Sequence, residues 1–361
     1  MSKILDETYM RQALALAEHG RFSTSPNPRV GCVVVNGGQV VGQGFHLRAG
    51  EGHAEVHALR QAGAAARGAT AYVTLEPCAH YGRTPPCAQA LIDAGVARVV
   101  AAMRDPNPLV AGKGLAMLQA AGVETVCGVC ETEARALNRG FLSRIERGRP
   151  FVRLKTAVSL DGKTALSDGR SQWITDAAAR ADVQKLRAES CAVLTGIGTV
   201  AADNPRLTVR DFPVLRQPVR VVLDSRLQLA EHSHLVQDGL HTWLITTTAD
   251  NGRFAAYPNV RVCRLPESDG RVDLAQTLAF LAQEGIGEVL LEAGRTLNTA
   301  FLQGGWVDEM VVYQAPKLLG DAAAGAFALP ENPAALSAEY EWQTVSVEKI
   351  GGGIKWILQK S

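Results

Sequence analysis

The chain has 361 residues, a length that favours two domains, each able to bury its own core. With 47% hydrophobic and 20% charged residues it has a globular composition, and no apolar run approaches the ~20 residues that a membrane span needs. The formal net charge of +1 gives no electrostatic reason to expect nucleic acid or a membrane as a partner. Seven cysteines, an odd number, and an N-terminus without a signal-peptide pattern favour a reducing compartment, so we expect the cytoplasm.

The first half of the chain alternates predicted helices and strands. A helical period runs from about Glu7 to His19, and a β-branched run at 30–35 predicts a buried strand that an Asn36-Gly37 turn connects to a second strand at 39–42. Further helices are predicted at 53–61, 87–94 and 115–121, and further strands at 71–75 and 96–102. This alternation predicts an α/β sandwich.

Three potential metal ligands lie at the ends of these elements, namely His53, Cys78 and Cys87. One imidazole and two thiolates suit a tetrahedral Zn²⁺ ion, with a fourth position open to water as in catalytic sites. Glu55 lies two residues after the histidine, and residues two apart do not share a helix face, so we expect it to carry protons beside the metal. A buried structural role is the commoner one for each residue alone, but the full set favours a zinc site.

The same residues follow the signature of the zinc nucleobase deaminases, H-x-E and then P-C-x-x-C, in which the glutamate is the general acid and base. Eight residues instead of two separate the cysteines, and this insertion adds His80 and Arg83 near the metal. The runs His53–Glu55 and Glu76–Cys87 resemble the bifunctional pyrimidine deaminase/reductases of riboflavin biosynthesis. The alternative, a zinc deaminase of another nucleobase or of tRNA with a non-reductase C-terminal domain, predicts the short C-x-x-C and, for tRNA, a basic groove.

The resemblance implies hydrolytic deamination of 2,5-diamino-6-(5-phosphoribosylamino)pyrimidin-4(3H)-one, with one Zn²⁺ per chain and Glu55 as the catalytic proton carrier. It also implies that four polar residues hold the ring and the phosphate of this substrate: Asn27, His46, His80 and Arg83. Each of these four, taken alone, is equally compatible with an ordinary loop.

The segment before the second half contains one further motif and the predicted domain boundary. Cys127 and Cys130 form a C-x-x-C without a second pair, so we expect two strand-end cysteines and no redox site. The polar, Gly/Pro-containing stretch 144–150 separates two differently patterned halves. We therefore predict a deaminase domain at 1–147 and a second domain at 148–361.

The second half also alternates strands and helices. Strands are predicted at 151–163 (running into a loop), 191–195, 219–223, 242–246, 288–292 and 309–313, with helices at 177–188, 273–284 and 297–303. Because these strands are nearly continuous apolar runs, they predict a largely parallel sheet covered on both faces.

Three glycine-containing or polar loops follow these strands. The G-x-G-x-x-A run that begins at Gly196 is a weak dinucleotide signal, because Asp203-Asn204-Pro205 interrupts the helix that should follow it. Ser225-Arg226 has the chemistry to meet a 2′-phosphate, although an exposed turn is at least as common. The turn 292–297 joins a strand to a helix, and its backbone N–H groups are suited to a phosphate.

Four runs in this half, Lys155–Lys163, Ser171–Thr175, Asp203–Arg210 and Ala315–Gly320, resemble the reductase domain of the same family, whose fold is similar to dihydrofolate reductase. The resemblance implies NADPH-dependent reduction of the ribosyl group of 5-amino-6-(5-phosphoribosylamino)uracil to ribityl. It also implies small-molecule phosphoribosyl pyrimidine substrates for the whole chain, and we expect a homo-oligomer (dimer or higher).

Two sets of reductase residues follow from the resemblance. The residues implied to contact NADPH are Ala157, Trp173, Thr199, Asp203, Ser225, Gly294, Arg295, Thr296 and Leu297. The residues implied to hold the phosphoribosyl substrate are Lys155, Asp161, Ser171, Arg187, Leu207, Arg210 and Glu292. The arginines suit the phosphate because the guanidinium group binds it in a forked geometry. The roles of Lys155 and Asp161 are left open.

Overall fold

The computed structural model describes residues 3–79, 85–108, 110–329 and 340–360. The chain divides into two compact units, Met1–Gly148 (unit 1) and Arg149–Ser361 (unit 2). The division lies one residue from the domain boundary expected between 147 and 148. No described helix has the length and apolar character needed to span a bilayer.

Unit 1 is an α/β sandwich. Its described strands are β1 (Gly31–Asn36), β2 (Gln39–Phe45), β3 (Thr70–Val73), β4 (Arg98–Ala101) and β5 (Glu124–Cys127). Its described helices are α1 (Lys3–Ala17), α2 (Ala54–Ala62), α3 (Cys87–Asp93), α4 (Lys113–Ala120), α5 (Glu131–Leu137) and α6 (Arg139–Arg147), with short 3-10 turns at Glu18–Gly20 and Gly63–Ala66. The predicted elements of this half are all present, with shifts of a few residues at their ends.

The sheet of unit 1 has the order β2-β1-β3-β4-β5, with β3, β4 and β5 parallel and β1 antiparallel to both of its neighbours. Side chains of a strand alternate between the two faces, so Val34 packs in one core with α2, α3 and α4. Val33 packs on the opposite face with α1, α5 and α6. The carboxyl ends of β3 and β4 are adjacent, and ligand sites of α/β sheets lie at such ends.

Unit 2 is built around a larger sheet. Its described strands are β6 (Phe151–Val158), β7 (Lys163–Ala165), β8 (Ala192–Gly196), β9 (Val219–Leu223), β10 (Thr242–Thr246), β11 (Val260–Arg264), β12 (Glu267–Ser268), β13 (Arg271–Val272), β14 (Glu288–Leu291), β15 (Glu309–Gln314), β16 (Ala324–Gly325), β17 (Trp342–Ile350) and β18 (Gly353–Lys360). Its described helices are α7 (Ala177–Glu189), α8 (Ile197–Asp203), α9 (His234–Gln237), α10 (Leu274–Gln283) and α11 (Arg295–Gln303).

The nine-stranded sheet has the order β11-β10-β9-β8-β14-β6-β15-β18-β17. The first seven strands in this order are parallel to one another, and the β17–β18 hairpin adds two antiparallel strands at one edge. One core lies between the sheet and α10 and α11, and a second lies between the opposite face and α7, α8 and α9. Asp176 and Asp273 cap the N-termini of α7 and α10 with their carboxylates. The expected parallel sheet with two covered faces is therefore present.

The differences from the sequence-based expectations include a helix at the predicted boundary, the position of Cys130 and an additional hairpin. Helix α6 runs to Arg147, so most of the stretch predicted as a separator is the end of a helix. Cys127 ends β5 as predicted, but Cys130 precedes α5 as its N-cap residue, in a left-handed conformation with φ of 58°. The β17–β18 hairpin was not predicted, because most of its side chains are exposed or half-buried and show no clear alternation.

Candidate active sites

The three predicted metal ligands of unit 1 converge at the ends of different elements. His53 is the N-cap residue of α2, Cys78 follows β3, and Cys87 is the first residue of α3. His53 Nδ1 lies 3.2 Å from Cys87 Sγ and 3.7 Å from Cys78 Sγ, and all three donor atoms lie within 4.8 Å of one another. Tetrahedral zinc with bonds of about 2.0–2.3 Å places such donors about 3.5–3.8 Å apart, so this donor set fits the ion.

Hydrogen bonds within the cluster favour the ionised form of one thiol, which suits the binding of a cation. The pKa of Cys78 is lowered to about 4 by hydrogen bonds from the Cys87 thiol, from His53 and from the backbone N–H of Cys87. The nitrogen of that N–H lies 3.3 Å from Cys78 Sγ. The hydrogen bond to Cys78 in turn raises the pKa of His53. Cys87 keeps its proton, because its hydrogen bond to Cys78 and its burial raise its pKa. Binding of a metal to both thiolates would release that proton.

Glu55 lies in the first turn of α2 beside these ligands and is 3% exposed. Its Oε2 atom is buried and has no hydrogen-bond partner among the described residues. Burial raises the pKa of Glu55, while the charge of His53 partly offsets that effect. A buried carboxyl with a raised pKa and an unpaired oxygen suits a group that takes up and returns a proton near neutral pH.

Asn27 and His46 lie next to the metal ligands. Asn27 Nδ2 is 3.1 Å from His46 Nε2, and His46 Nδ1 is 3.1 Å from the carbonyl oxygen of Gly52. Since a carbonyl only accepts, Nδ1–H donates to it and Nε2 accepts from the amide of Asn27. Burial lowers the pKa of His46, and its ring meets the His53 ring edge-on at 5.4 Å. The other two predicted substrate contacts, His80 and Arg83, lie outside the described residues.

In unit 2 a buried carboxylate brings together two basic residues from distant parts of the sequence. Arg187 Nε and Nη2 donate to Glu292 at 2.6 and 3.0 Å, and Lys155 Nζ lies 3.5 Å from Glu292 Oε2. Burial alone would raise the pKa of Glu292, but the charges of Arg187 and Lys155 outweigh it and hold the pKa at about 2. Arg187 also donates to the carbonyl of Thr208 at 3.0 Å.

The loop after α8 contributes Leu207 and Arg210. Leu207 is 3% exposed and adopts a left-handed conformation with φ of 54°, while the backbone N–H of Arg210 donates to Gln184 Oε1 at 3.1 Å. Partial burial lowers the pKa of Arg210, and the nearby positive charge of Arg187 lowers it further. The proximity of Arg210 to Arg187 favours an anionic ligand beside these two guanidinium groups.

The turns after β8 and β14 lie close together and form a cradle with little side-chain bulk. A Cβ added to Gly294 would lie 3.7 Å from Thr199 Oγ1, and one added to Gly196 would lie 3.3 Å from Leu297 Cδ2. Gly294 is the N-cap residue of the nine-residue helix α11, which starts at Arg295 and Thr296, and it has no side chain to cap the first N–H groups. This donor-rich cradle fits the phosphates of a dinucleotide such as NADPH.

Other predicted cofactor and substrate residues of unit 2 have separate surroundings. Trp173 is 63% exposed, and the guanidinium of Arg180 lies 4.5 Å from its ring centre. Ser225 follows β9, and its Oγ accepts the N–H of Val272. Ala157 lies in β6, Asp203 is the last residue of α8, and Ser171 lies in the segment between β7 and α7.

Asp161 forms hydrogen bonds with two neighbouring loops through its carboxylate. Its carboxylate accepts the N–H groups of Leu319 and Gly320 at 2.8–3.2 Å and the hydroxyl of Ser159 at 2.5 Å. The hydrogen bond from Ser159 is the largest cause that lowers the pKa of Asp161 to about 2. Asp161 therefore acts as a clamp that holds the loop at Leu319 and Gly320.

Two supporting side chains were not predicted as site residues. Gln184 on α7 holds the backbone of Arg210, and Glu76, two residues before Cys78, accepts four backbone N–H groups. Glu76 directly follows the strand predicted at 71–75, and a charged residue at that position was the available signal.

Comparison with known proteins finds relatives along the whole chain. Residues 3–103 match the family described as cytidine and deoxycytidylate deaminase zinc-binding region, and residues 150–356 match the RibD C-terminal domain. The riboflavin biosynthesis protein RibD of Escherichia coli is 52% identical over 90% of this chain and 91% of its own length. That of Bacillus amyloliquefaciens is 44% identical over 97% and 95%.

Two solved structures are also similar to this chain over nearly its whole length. The structure of Acinetobacter baumannii RibD superposes with a TM-score of 0.93 at 46% identity, over 99% of both chains. A diaminohydroxyphosphoribosylaminopyrimidine deaminase/5-amino-6-(5-phosphoribosylamino)uracil reductase from Thermotoga maritima superposes with a TM-score of 0.89 at 34% identity, again over 99% of both chains.

The two units therefore define a bifunctional enzyme, a zinc-dependent deaminase joined to an NADPH-dependent reductase. The deaminase-like and reductase-like α/β folds expected from the sequence are confirmed. The chain belongs to the RibD family of riboflavin biosynthesis proteins. The alternative of a deaminase with a non-reductase C-terminal domain is wrong, because unit 2 matches the RibD C-terminal domain.

Proposed function

We propose that this chain deaminates 2,5-diamino-6-(5-phosphoribosylamino)pyrimidin-4(3H)-one in unit 1 and reduces 5-amino-6-(5-phosphoribosylamino)uracil in unit 2. The observation that carries the deaminase proposal is the convergence of three zinc-type donors beside the buried, unpaired oxygen of Glu55. The name of the Thermotoga maritima relative, which covers 99% of this chain, supports the choice of both substrates.

In unit 1, His53, Cys78 and Cys87 would hold the zinc ion. The bound ion would supply Lewis acidity, which makes water a nucleophile near neutral pH. Glu55 accepts a proton on Oε2 as the water oxygen bonds to the amino-bearing ring carbon, and it returns that proton to the departing ammonia. This role requires a carboxyl that exists in both protonation states, which agrees with the raised pKa of Glu55.

Asn27 and His46 orient the pyrimidine. With His46 Nδ1–H bound to the carbonyl of Gly52 and Nε2 bound to Asn27, the histidine stays neutral and fixes the rotamer of the asparagine. The carboxamide of Asn27 can then present its oxygen to a donor on the ring. We retain His80 and Arg83 as proposed contacts to the ring and phosphate on the basis of sequence alone.

In unit 2, bound NADPH would supply the hydride that reduces C1′. The ring oxygen would take up a proton as the ribosyl group becomes ribityl, and we propose that Lys155 and Glu292 lie beside the reacting carbon. Because the pKa of Glu292 is held at about 2, its carboxylate keeps a negative charge at working pH and is not the acid. Lys155 Nζ carries transferable protons, and Glu292 holds it in position.

The phosphate of the reductase substrate is better matched to Arg210 than to Arg187. The guanidinium of Arg187 donates to Glu292 and to the carbonyl of Thr208, whereas Arg210 lies near the positive charge of Arg187, which a bound phosphate would offset. Ser171 and Leu207 complete the proposed substrate contacts. We propose that Asp161 acts indirectly, through the loop at Leu319 and Gly320.

The cradle of Thr199, Gly294 and α11 supports the proposed binding of the NADPH phosphates. Ser225 and the exposed Arg226 are the proposed contacts to the 2′-phosphate, and Trp173, Ala157 and Asp203 are the remaining proposed contacts.

We also propose a cytoplasmic location and a homo-oligomer. All seven cysteines are free, which agrees with a reducing compartment. Val345 and Val347 are 55% and 50% exposed on β17 at the edge of the large sheet, and a second copy of the chain would cover them. Sedimentation of the purified protein measures the assembly state.

The substrate proposal is tested by offering the purified protein three amines: the diaminopyrimidine ribotide, cytidine and an adenosine-containing tRNA anticodon stem. We expect ammonia release from the ribotide only, at a rate that falls by at least about a hundredfold in Glu55→Gln, since positioned acid–base groups contribute 10²–10⁴-fold. Ammonia release from cytidine or tRNA in place of the ribotide would contradict the proposal.

A further inference from the structure

Glu76 is a buried carboxylate with no part in the chemistry proposed above. It lies two residues before Cys78 and is 4% exposed. Oε2 accepts the backbone N–H groups of Asp105 (3.2 Å) and Gly112 (2.9 Å), and Oε1 accepts those of Gly114 (2.9 Å) and Leu115 (3.3 Å). Four N–H groups on one carboxylate satisfy about as many lone-pair positions as an ionised acid has.

These contacts attach the first turn of α4 to the segment that carries Cys78. Gly114 and Leu115 are among the first N–H groups of α4, where a negative charge is favoured by the helix dipole. A methyl group on Gly114 would overlap the carbonyl oxygen of Pro77, so only glycine allows this approach. The backbone of Glu76 is fixed as well, because its N–H donates to the carbonyl of Met103 at 3.0 Å.

Cys78 is held from its other side by α3. Its carbonyl accepts the N–H of Ala88 at 3.1 Å, and its sulfur lies 3.3 Å from the backbone nitrogen of Cys87. The Pro77–Cys78 peptide therefore lies between two helix starts, and the side chain of Glu76 supplies the hydrogen bonds on the α4 side. A shift of α4 would move Pro77 and, with it, the thiolate of Cys78.

We propose that Glu76 is a positioning residue of the metal site, whose four backbone hydrogen bonds hold α4 against Pro77 and thereby set the place of the Cys78 thiolate. The inference rests on the proposed ligand set of His53, Cys78 and Cys87. It extends that set to a residue that contacts no ligand atom and acts through the backbone. Groups that support metal ligands typically change metal affinity 10–100-fold when they are replaced.

The test compares full-length variants. Glu76→Gln replaces one carboxylate oxygen by an amide nitrogen, which donates and cannot accept. Two of the four backbone N–H groups would therefore lose their acceptor. Gly114→Ala disturbs the same contact without a change of charge, and Glu131→Gln removes an exposed carboxylate of the same unit as the matched control. Zinc affinity is measured by competition with a chromophoric chelator. The geometry of the site is read from the thiolate-to-metal absorption of the Co²⁺-substituted proteins.

We expect Glu76→Gln and Gly114→Ala to weaken zinc binding about tenfold and to change the Co²⁺ spectrum. Glu131→Gln should match the wild type, and NADPH oxidation with the supplied uracil intermediate should be equal in all variants. Wild-type affinity and spectrum in Glu76→Gln would overturn the proposal, even with a lower melting temperature, because Glu76 would then serve stability alone.

If Glu76→Gln does not accumulate as folded protein, the zinc affinity and Co²⁺ spectrum of Glu76→Asp and Gly114→Ala are compared with those of the wild type instead. The aspartate keeps the charge but is one methylene too short for all four N–H groups, so wild-type metal properties in both variants would overturn the proposal. A wild-type protein without thiolate-to-Co²⁺ absorption would instead refute the proposed metal site itself, and the two failures are thus distinguishable.

Discussion

Replacement of Glu292 by glutamine tests the electrostatic account of unit 2 most sharply. The side chain is 9% exposed and accepts three contacts, two from Arg187 and one from Lys155. Glutamine has nearly the same shape but no charge, and its amide nitrogen faces a donor. Glu292→Gln therefore leaves two basic side chains, 11% and 19% exposed, without a counter-charge.

The expected cost follows from the pKa. A fall from the usual value of 4.5 to about 2 corresponds to about 3 kcal/mol, since one pKa unit is about 1.4 kcal/mol. Loss of one partner of a buried ion pair costs a similar amount, about 3–5 kcal/mol. Because the folded-state pKa is lowered, this contribution is present above pH 4.5 and is lost as the pH falls toward 2. We expect Glu292→Gln to lower the unfolding free energy of unit 2 by about 3 kcal/mol at pH 7.

Tryptophan fluorescence isolates this effect, because all five tryptophans of the chain lie in unit 2. At a typical urea slope of about 2–3 kcal/mol per M, the midpoint should fall by about 1 M. The matched control is Glu284→Gln, which removes a partly exposed partner of Arg261 and should cost less than about 1 kcal/mol. Equal midpoints for the two variants, or a difference from wild type that persists unchanged at pH 3, would refute the reasoning.

Three further predictions address the other parts of the chain. Cys87→Ser, or treatment with a chelator, should abolish ammonia release but leave NADPH oxidation with supplied uracil intermediate unchanged; loss of both activities would contradict separate sites. Asp6→Asn removes a buried acid whose pKa is lowered chiefly by its hydrogen bond to Arg98, so the amides of unit 1 should exchange hydrogen faster than in the wild type at pH 7. This difference in exchange rate should narrow below about pH 4, where the wild-type acid is protonated in the unfolded chain. Arg226→Ala should raise KM for NADPH about tenfold without a change for NADH, and equal shifts would exclude a contact to the 2′-phosphate.

The sequence was most informative where the chemistry is local. His53, Cys78 and Cys87 were predicted together because few other residues suit zinc, and each stands at the end of an element that the apolar pattern also predicts. The parallel sheet of unit 2 was predicted because its central strands are apolar on both faces.

Pairings across long sequence separations were not accessible in the same way. Glu292 meets Arg187 across 105 residues and Lys155 across 137, and no local pattern encodes such contacts. Likewise, the strand alternation that reveals a half-buried sheet is weak in β17, where exposed residues occur on both faces. The clamp formed by Asp161 depends on a loop about 158 residues away.

The most direct test of the two-step account supplies the protein with the diaminopyrimidine ribotide and follows ammonia release and NADPH oxidation together. We predict that ammonia appears first, that NADPH then falls, and that both signals vanish in Glu55→Ala. The deaminated uracil intermediate should restore NADPH oxidation in this variant. Ammonia release without any consumption of NADPH by the wild type would contradict the account of unit 2.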